Sequence, residues 1–387
     1  MAEGNRYASL LTSWKSSEMP HLHEILVVRL TSLGDVLMSL PAVKALKEGS
    51  PGTKVSWLVE GSVAELLSCQ DFVDHVVRFP RDLIMRSLRE GSALKALGHL
   101  SAFLGKLRAT RYDALIDFHG ILKSALLDCA ARAGKRIGFG RGFAKEGSWL
   151  AYDERVDGAD THLHKVERNM LLVRHLGIDG IVPQVELAAP PDAESYVNDL
   201  LAEHGIRPPI IALFPFCSKG SAFKRWDLAR YAELLKRMKE SIPATMLILW
   251  GPGEEEEARQ LRDMAGAGVV LPANLGVAQL CAVLKRADMY VGGDTGVMHL
   301  AAFSGVPVVA IFGPTDPKVN APYGPAHRVV RKELPCSPCR DKNCKERTCL
   351  VSITPEEVFE EVNRMWESIS TFPRERKEGA DISNSKS

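Results

Sequence analysis

The sequence predicts an α/β protein built from two Rossmann-like domains that face a cleft, and three observations carry that prediction. Short apolar runs alternate with amphipathic stretches along most of the chain, the pattern of parallel strands covered by helices on both faces. The alternation runs once, stops at a stretch holding Pro183, Pro190 and Pro191, and restarts at Ile210. The chain has 387 residues, more than one ordinary core uses and enough for two domains of about 150–180 residues.

In the first half, Ile25-Leu26-Val27-Val28-Arg29-Leu30 reads as a buried parallel strand. A helix over about 35–48 follows, and Pro51-Gly52 breaks it. Further strands are expected at 55–59, 76–79, 114–118 and 136–139, with helices at 62–69, 121–133 and 165–176. In the second half, strands are expected at 210–214, 245–250, 289–291 and 306–312. Its helices fall at about 227–240, 254–265, 277–286 and 297–303. A last helix at 355–369 has Thr354 as its N-cap and Glu357 at capping-box spacing. The division is therefore a loose extension over 1–22, an N-terminal domain over 23–182, a linker over 183–208 and a C-terminal domain over 209–353. A closing helix over 354–371 and a charged, Ser-rich, disordered tail over 372–387 complete it.

Charge and hydropathy exclude some functions. With 49 basic and 48 acidic residues, no global field draws the chain to nucleic acid. No apolar run reaches the roughly 18 residues of a membrane span. Residues 1–19 lack the basic-then-apolar layout of a secretory signal, so a cytoplasmic protein is expected. Residues 81–107 are basic and partly apolar, a face for lipid or an ordinary surface helix. Cys69, Cys129, Cys217 and Cys281 sit in apolar segments and read as small core residues. Cys336, Cys339, Cys344 and Cys349 form a cluster over 336–349 with metal-ligand flavour, though not the spacing of a zinc ribbon. A structural zinc or iron–sulfur site, reduced thiols and a disulfide pair are all open there.

Ligands of such sheets bind beyond the carboxyl ends of strands, so the loops after strands hold the candidates. After the first strand comes Arg29-Leu30-Thr31-Ser32-Leu33-Gly34-Asp35. Asp35 at a helix start is either an N-cap or a general base facing the cleft. Gly292-Gly293-Asp294-Thr295-Gly296-Val297-Met298-His299 joins a strand to a helix whose free amides suit an anion. Asp294 would repel a phosphate, so it holds the loop or meets a sugar hydroxyl, and Thr295 with the amides of Gly296 and Val297 suits a diphosphate. The alternative is a capped turn with a packed His299. The loop 214–226 holds Ser218, Lys219, Lys224 and Arg225, either counter-charges for a departing diphosphate or a solvated basic loop. Gly251-Pro252-Gly253-Glu254 is a turn that meets the nucleoside or simply turns.

These motifs occur in order, and Gly313-Pro314-Thr315-Asp316-Pro317 follows them. Together, over roughly residues 24–370, the chain resembles the lipopolysaccharide heptosyltransferases, glycosyltransferase family 9. The resemblance implies the two-domain GT-B fold, with the donor held by the C-terminal half and the last helix crossing back to the first domain. It implies an inverting, metal-independent transfer with no required cofactor. ADP-L-glycero-D-manno-heptose is the implied donor, and the lipid-linked Kdo or heptose of the inner core the implied acceptor. Peripheral contact with the cytoplasmic face of the inner membrane follows from such an acceptor. Carried over, Asp35 is the base, Lys224 binds the donor phosphates, Asp294 lies near the donor sugar, and Thr295, Gly296, Val297 and His299 form the donor loop. Ser218 and Gly251 join the donor side. Thr31, Ser32, His119, Lys123, Arg136 and Arg141 are implied on the acceptor side. A transferase or epimerase for another nucleotide sugar, and a non-catalytic nucleotide-sugar binder, are the rival readings.

Overall fold

The first strand shows why the core forms. Residues Ile25, Leu26, Val27 and Val28 are wholly buried, because β1 (Glu24–Val28) lies inside its sheet with a parallel neighbour on each side. Successive side chains point to opposite faces. Ile25 and Val27 therefore join the core with Val43, Leu46, Met170 and Val173. Leu26 and Val28 join Phe103, Leu107 and Leu127 on the other face.

The computed structural model describes residues 22–158 and 160–371. From β1 the chain runs through α1 (Leu33–Leu37), α2 (Leu40–Gly49), β2 (Lys54–Glu60), α3 (Val63–Leu67), β3 (His75–Phe79), α4 (Arg81–Arg89) and α5 (Ala93–Ala109). It continues through β4 (Arg111–Asp117), α6 (Leu122–Ala130), β5 (Arg132–Phe139), β6 (Glu154–Val156) and α7 (Lys165–Arg174). All neighbours pair in parallel in the order β3-β2-β1-β4-β5-β6.

The second half opens with α8 (Pro191–Glu203), β7 (Ile210–Phe214), α9 (Leu228–Ser241), β8 (Thr245–Ile248), α10 (Glu255–Ala265), β9 (Val269–Val270) and α11 (Val277–Arg286). It closes with β10 (Met289–Gly293), α12 (Gly296–Phe303), β11 (Val308–Phe312), α13 (Pro317–Asn320), β12 (His327–Arg331), α14 (Thr348–Val351) and α15 (Pro355–Thr371). Its sheet, β12-β11-β10-β7-β8-β9, is again fully parallel. Numbered within its own half, that is the same doubly wound order as the first sheet. The expected pair of Rossmann-like domains is thus present.

Several expectations need correction. The helix expected over 35–48 is two helices, α1 and α2. Pro41 stands in the first turn of α2; it has no N–H to donate to the carbonyl four residues back, so the first helix ends there. The linker expected over 183–208 contains α8. Pro190-Pro191 opens that helix, since proline suits the first helical position, and Ala193, Val197 and Leu200 bury one face of it against α11. The crossing strand of chain is stitched to both halves. Ala188 exchanges hydrogen bonds with the side chain of Gln70 at 3.0 and 3.1 Å, and the Leu187 amide donates to the Phe303 carbonyl at 2.8 Å.

The closing helix has its expected capping box, with the Thr354 amide donating to Glu357 at 2.9 Å and the Glu357 amide to Thr354 Oγ1 at 3.3 Å. Its main packing partners, however, are α9, β11 and β12 of its own half, not the first sheet. Of the four cysteines read as core, only Cys281 is buried, and Cys129 is exposed. Residues 1–21 of the expected extension over 1–22, and the expected tail over 372–387, lie outside the described residues. No helix among the described residues is long and apolar enough to cross a membrane.

Candidate active site

In each sheet the strand order reverses once, between β1 and β4 and between β7 and β10. Ligands of doubly wound sheets bind in the crevice beyond the carboxyl ends at such switch points. The four loops that follow these strands are those of Asp35, His119, Lys224 and Asp294. The halves meet there: α1 packs on α12. A Cβ on Gly34 would lie 2.8 Å from His299 Cδ2, and one on Gly296 2.9 Å from Leu33 Cβ. No larger side chain fits either position without parting the two loops.

Asp35 stands in the first turn of α1, and Ser32 occupies the capping position. The carboxylate does not cap the helix. Its Oδ2 accepts from Ser32 Oγ at 3.0 Å and pairs with Arg29 Nη2 at 2.8 Å, and its Oδ1 pairs with Lys165 Nζ at 2.7 Å. Burial pushes the Asp35 pKa up, but the charges of Arg29 and Lys165 outweigh it and hold the group well below the usual carboxylate range. Asp35 is therefore ionised at any working pH. A proton acceptor held so low is a weak base in Brønsted terms, so these cations govern its strength as well as its orientation.

Sequence reasoning assigned no role to either cation: Arg29 stood in the motif without one, and Lys165 was missed altogether. Lys165 opens α7, 130 residues beyond Asp35, and only the fold brings the two together. Lys165→Met is expected to lower kcat by about 10–100-fold, the cost of a misplaced reacting group. Loss of a cation also raises the Asp35 pKa, so activity should now fall at the acid end as the carboxylate protonates. A pH profile of kcat/KM identical to that of the parent would contradict this.

The acceptor-side loop is fixed by a buried acid. Asp117, at the end of β4, accepts from the amides of His119 and Gly120 at 2.6 and 3.2 Å, and from Ser124 Oγ and Tyr152 Oη at 2.7 Å each. His119 Nδ1 accepts from the Leu30 amide at 3.4 Å, which assigns its proton to Nε2. Burial, reinforced by Arg29, pushes its pKa down to about 4, so the ring is neutral. Asp128 lies wholly buried beside Asp117, with no other hydrogen-bond partner on either oxygen. Burial and then the Asp117 charge raise its pKa well above the usual range, so Asp128 keeps its proton and donates towards Asp117.

That proton has a stability consequence with a definite sign. The folded chain holds it where the unfolded chain has released it, so stability is fully present at low pH and falls as pH rises above the ordinary carboxylate range. Asp128→Asn supplies an N–H donor that does not titrate. The variant should show a flatter dependence of Tm on pH, and an unchanged slope would contradict the shared proton.

The remaining acceptor candidates diverge. Thr31 and Ser32 are exposed at the rim. Lys123, in the first turn of α6, forms an ion pair with the buried Glu60 at the end of β2 and lies 5.5 Å over the Phe79 ring. Arg136 does not reach the rim: its guanidinium donates to the carbonyls of Asp128 and Ala131 at 3.0 and 3.4 Å and approaches Asp153 at 3.6 Å. Arg141 is exposed and stacks over Trp149 at 5.5 Å.

On the donor side, Lys224 closes the 3-10 turn Lys219–Lys224, and its Nζ pairs with Asp294 Oδ2 at 2.8 Å. Thr295 caps α12, its Oγ1 accepting from the Met298 amide at 3.4 Å. The first-turn amides of Gly296 and Val297 have no carbonyl of their own helix to bond. His299 is buried with Nδ1 unpartnered, and burial pushes its pKa down to about 4 against the opposing pull of Asp294. A neutral ring is no counter-charge for phosphate. Glu254 Oε2 accepts from the Gly251 amide at 2.7 Å, closing that turn, and burial raises its pKa. Ser218 is exposed, 3.1 Å from Ser221 Oγ.

The cysteine loop braces this rim. The amides of Cys339 and Arg340 donate to the Pro314 carbonyl at 3.1 and 3.0 Å, and Arg347 donates to the Arg225 carbonyl. Cys336, Cys339, Cys344 and Cys349 are all free thiols, so no disulfide pair forms. Among the described residues, no group of three or more His, Cys, Asp or Glu side chains is placed to hold a metal ion.

Comparison with known proteins fits this geometry. The family pattern "Glycosyltransferase family 9 (heptosyltransferase)" matches residues 100–350. Lipopolysaccharide heptosyltransferase 1 of Pseudomonas aeruginosa is 30% identical over 83% of this chain and 87% of its own. Its namesake in Escherichia coli K12 is 29% identical over 79% and 93%. The solved structure of E. coli heptosyltransferase WaaC with ADP superposes at a TM-score of 0.71, with 26% identity, covering 88% of this chain and 99% of that one. A family 9 glycosyltransferase from Veillonella parvula shares the fold at a TM-score of 0.76 and 17% identity, over 92% and 100%. The chain belongs to glycosyltransferase family 9, the heptosyltransferases.

Proposed function

We propose that this transferase moves L-glycero-D-manno-heptose from ADP-heptose to a Kdo or heptose of the lipopolysaccharide inner core, with inversion at the anomeric carbon. The observation that carries the reading is an ionised Asp35 at the seam where the N-terminal rim touches the donor loop. The acceptor hydroxyl sits between Asp35 and the anomeric carbon and attacks from the face opposite the diphosphate. Asp35 takes the hydroxyl proton as the new C–O bond forms and the bond to the diphosphate breaks. Lys224 and the amides of Thr295, Gly296 and Val297 meet the charge that grows on the leaving ADP. Asp294 holds Lys224 and faces the donor sugar. His119 offers its Nε2 proton to the acceptor.

The donor assignment is supported by WaaC of E. coli, which has been solved with ADP and with ADP-2-deoxy-2-fluoro heptose. The reaction as written calls on no resident cofactor, since the nucleotide sugar is a substrate. The cysteine loop enters it only as a brace of the donor rim. A lipid-linked acceptor places the enzyme at the cytoplasmic face of the inner membrane. Incubation with ADP-heptose and acceptors that lack successive heptoses, read by product mass, tests the reading. One acceptor should gain a single heptose, and transfer to none, or equal transfer from another nucleotide sugar, would overturn it.

A further inference from the structure

We infer that the α4–α5 hairpin, continued by the outer face of α6, is a docking surface for an anionic lipid bilayer. The inference deepens the reading of a lipid-linked acceptor and rests on it. Its first support is where exposed apolar side chains lie. Among the described residues eleven large ones are exposed, and eight of these sit on α4, α5, α6 and the 3-10 turn Ser148–Ala151. The second half, of similar size, carries only Tyr196 and Val351. Contiguous apolar exposure of this kind marks a surface that is covered when the protein works.

Helix α5 shows the effect most plainly. Its inner face, with Ala96, Phe103 and Leu107, is already buried in the domain core. Its outer face adds Leu94 at 84% exposure and Leu97 at 61%. A helix apolar on two sides needs two covers, and the fold supplies one.

Charge selects the second cover. Residues 81–111 contain seven basic residues and two acidic ones, and α5 has no acid at all. Arg86 and Arg89 on α4 and Lys95 on α5 are exposed beside the leucines. Apolar side chains interleaved with long basic ones suit the boundary of an anionic membrane, where the leucines enter the acyl region and the basic heads remain among the phosphates. A second copy fits worse. A two-fold interface would set this basic face against itself, where like charges repel.

Topology places the surface where a lipid acceptor needs it. Helix α4 begins beyond the carboxyl end of β3 and α6 beyond the carboxyl end of β4. That is the sheet edge from which Asp35 and His119 project. Leu122 and Leu126, both exposed, stand on the helix whose first turn also carries Lys123. A bilayer seated on this face holds its lipid anchor close to the acceptor loop, so the sugar headgroup enters the cleft while the acyl chains stay in the membrane.

Flotation of the full-length chain with vesicles tests this without substrate. The parent should bind vesicles containing phosphatidylglycerol and not pure phosphatidylcholine, and salt should weaken the binding. The double variant Leu94→Glu/Leu97→Glu changes only exposed side chains and should lose the binding. Each of Arg86→Gln and Arg89→Gln should weaken it about fivefold, the contribution of one basic residue near an anionic surface. Activity on a water-soluble truncated acceptor should be unchanged in all these variants, while activity on acceptor embedded in vesicles falls with binding. Variants that bind vesicles like the parent would overturn the assignment. So would self-association of the parent that the leucine variant abolishes, since the face would then belong to a second copy. Failure of the parent on the soluble acceptor would count against the proposed reaction instead, whatever the vesicles show.

Discussion

Asp35→Asn should lower the rate of heptose transfer by about 10²–10⁴-fold, the range a positioned general base contributes, while ADP binding survives. Asparagine keeps the shape and can still accept from Ser32, so the loop stays in place. It cannot take the proton of an attacking hydroxyl. It also leaves Arg29 and Lys165 facing a neutral group, where the parent has two ion pairs at 2.8 and 2.7 Å. The Asp35 side chain is 23% exposed, so part of that unbalanced charge is met by water, and the folded state should survive with a lower Tm. Calorimetry with ADP separates the effects, because the proposed nucleotide site lies on the other half. Near-parental turnover in Asp35→Asn would remove Asp35 from the chemistry.

Lys224→Ala has the second largest expected effect, and it acts on two quantities at once. The Asp294 side chain is 7% exposed, and Lys224 Nζ at 2.8 Å is the cation paired with it. Removing one partner of a buried pair leaves an uncompensated charge, which costs about 3–5 kcal/mol. Donor affinity should fall as well, because the charge proposed to meet the diphosphate is gone. The double variant Lys224→Met/Asp294→Asn separates the two effects. It should recover most of the stability, since no charge is left buried alone, and none of the affinity. Recovery of ADP-heptose affinity in the double variant would show that Lys224 only neutralises Asp294 and does not hold the donor.

The same loop logic explains what was legible in the sequence. Strands inside the sheets, such as residues 25–28 and 210–214, are apolar without interruption because they are buried on both faces, and they were readable. The missed strands β6, β9 and β12 are edge strands, and β6 and β9 have only three and two residues. They pair on one side only and need little apolar sequence; β12 is His-Arg-Val-Val-Arg. The loops after β1 and β10 were readable because glycine, an acid and a cap crowd into a few residues at each, and the loop after β7 because hydroxyls and cations fill it. Arg136 was misplaced because a basic residue near a strand end looks the same whether it faces a ligand or, as here, the carbonyls of α6. Lys165 was invisible for a different reason. Nothing near it marks it, and its partner is set by how α7 packs on α2.

The structure adds a link between the halves that no motif shows. Helix α7 carries Lys165 to Asp35, while its neighbours touch the other half. His164 Nε2 lies 2.9 Å from the Ala321 carbonyl, and Tyr323 Oη donates to Glu167 Oε1 at 2.5 Å. The cation that orients Asp35 is therefore held by the seam between the domains. The contacts that hold the start of α7 thus come from both halves.

The central claim is a single displacement driven by one carboxylate, and the anomeric configuration of the product tests it most directly. With ADP-heptose of known configuration and a defined acceptor, NMR of the anomeric centre should show the opposite configuration in the product. One attack opposite the leaving diphosphate leaves no other outcome. Retention of configuration would require either a second displacement through a nucleophile on the enzyme or attack from the same face as the leaving diphosphate, and either would contradict a single displacement with Asp35 as its base.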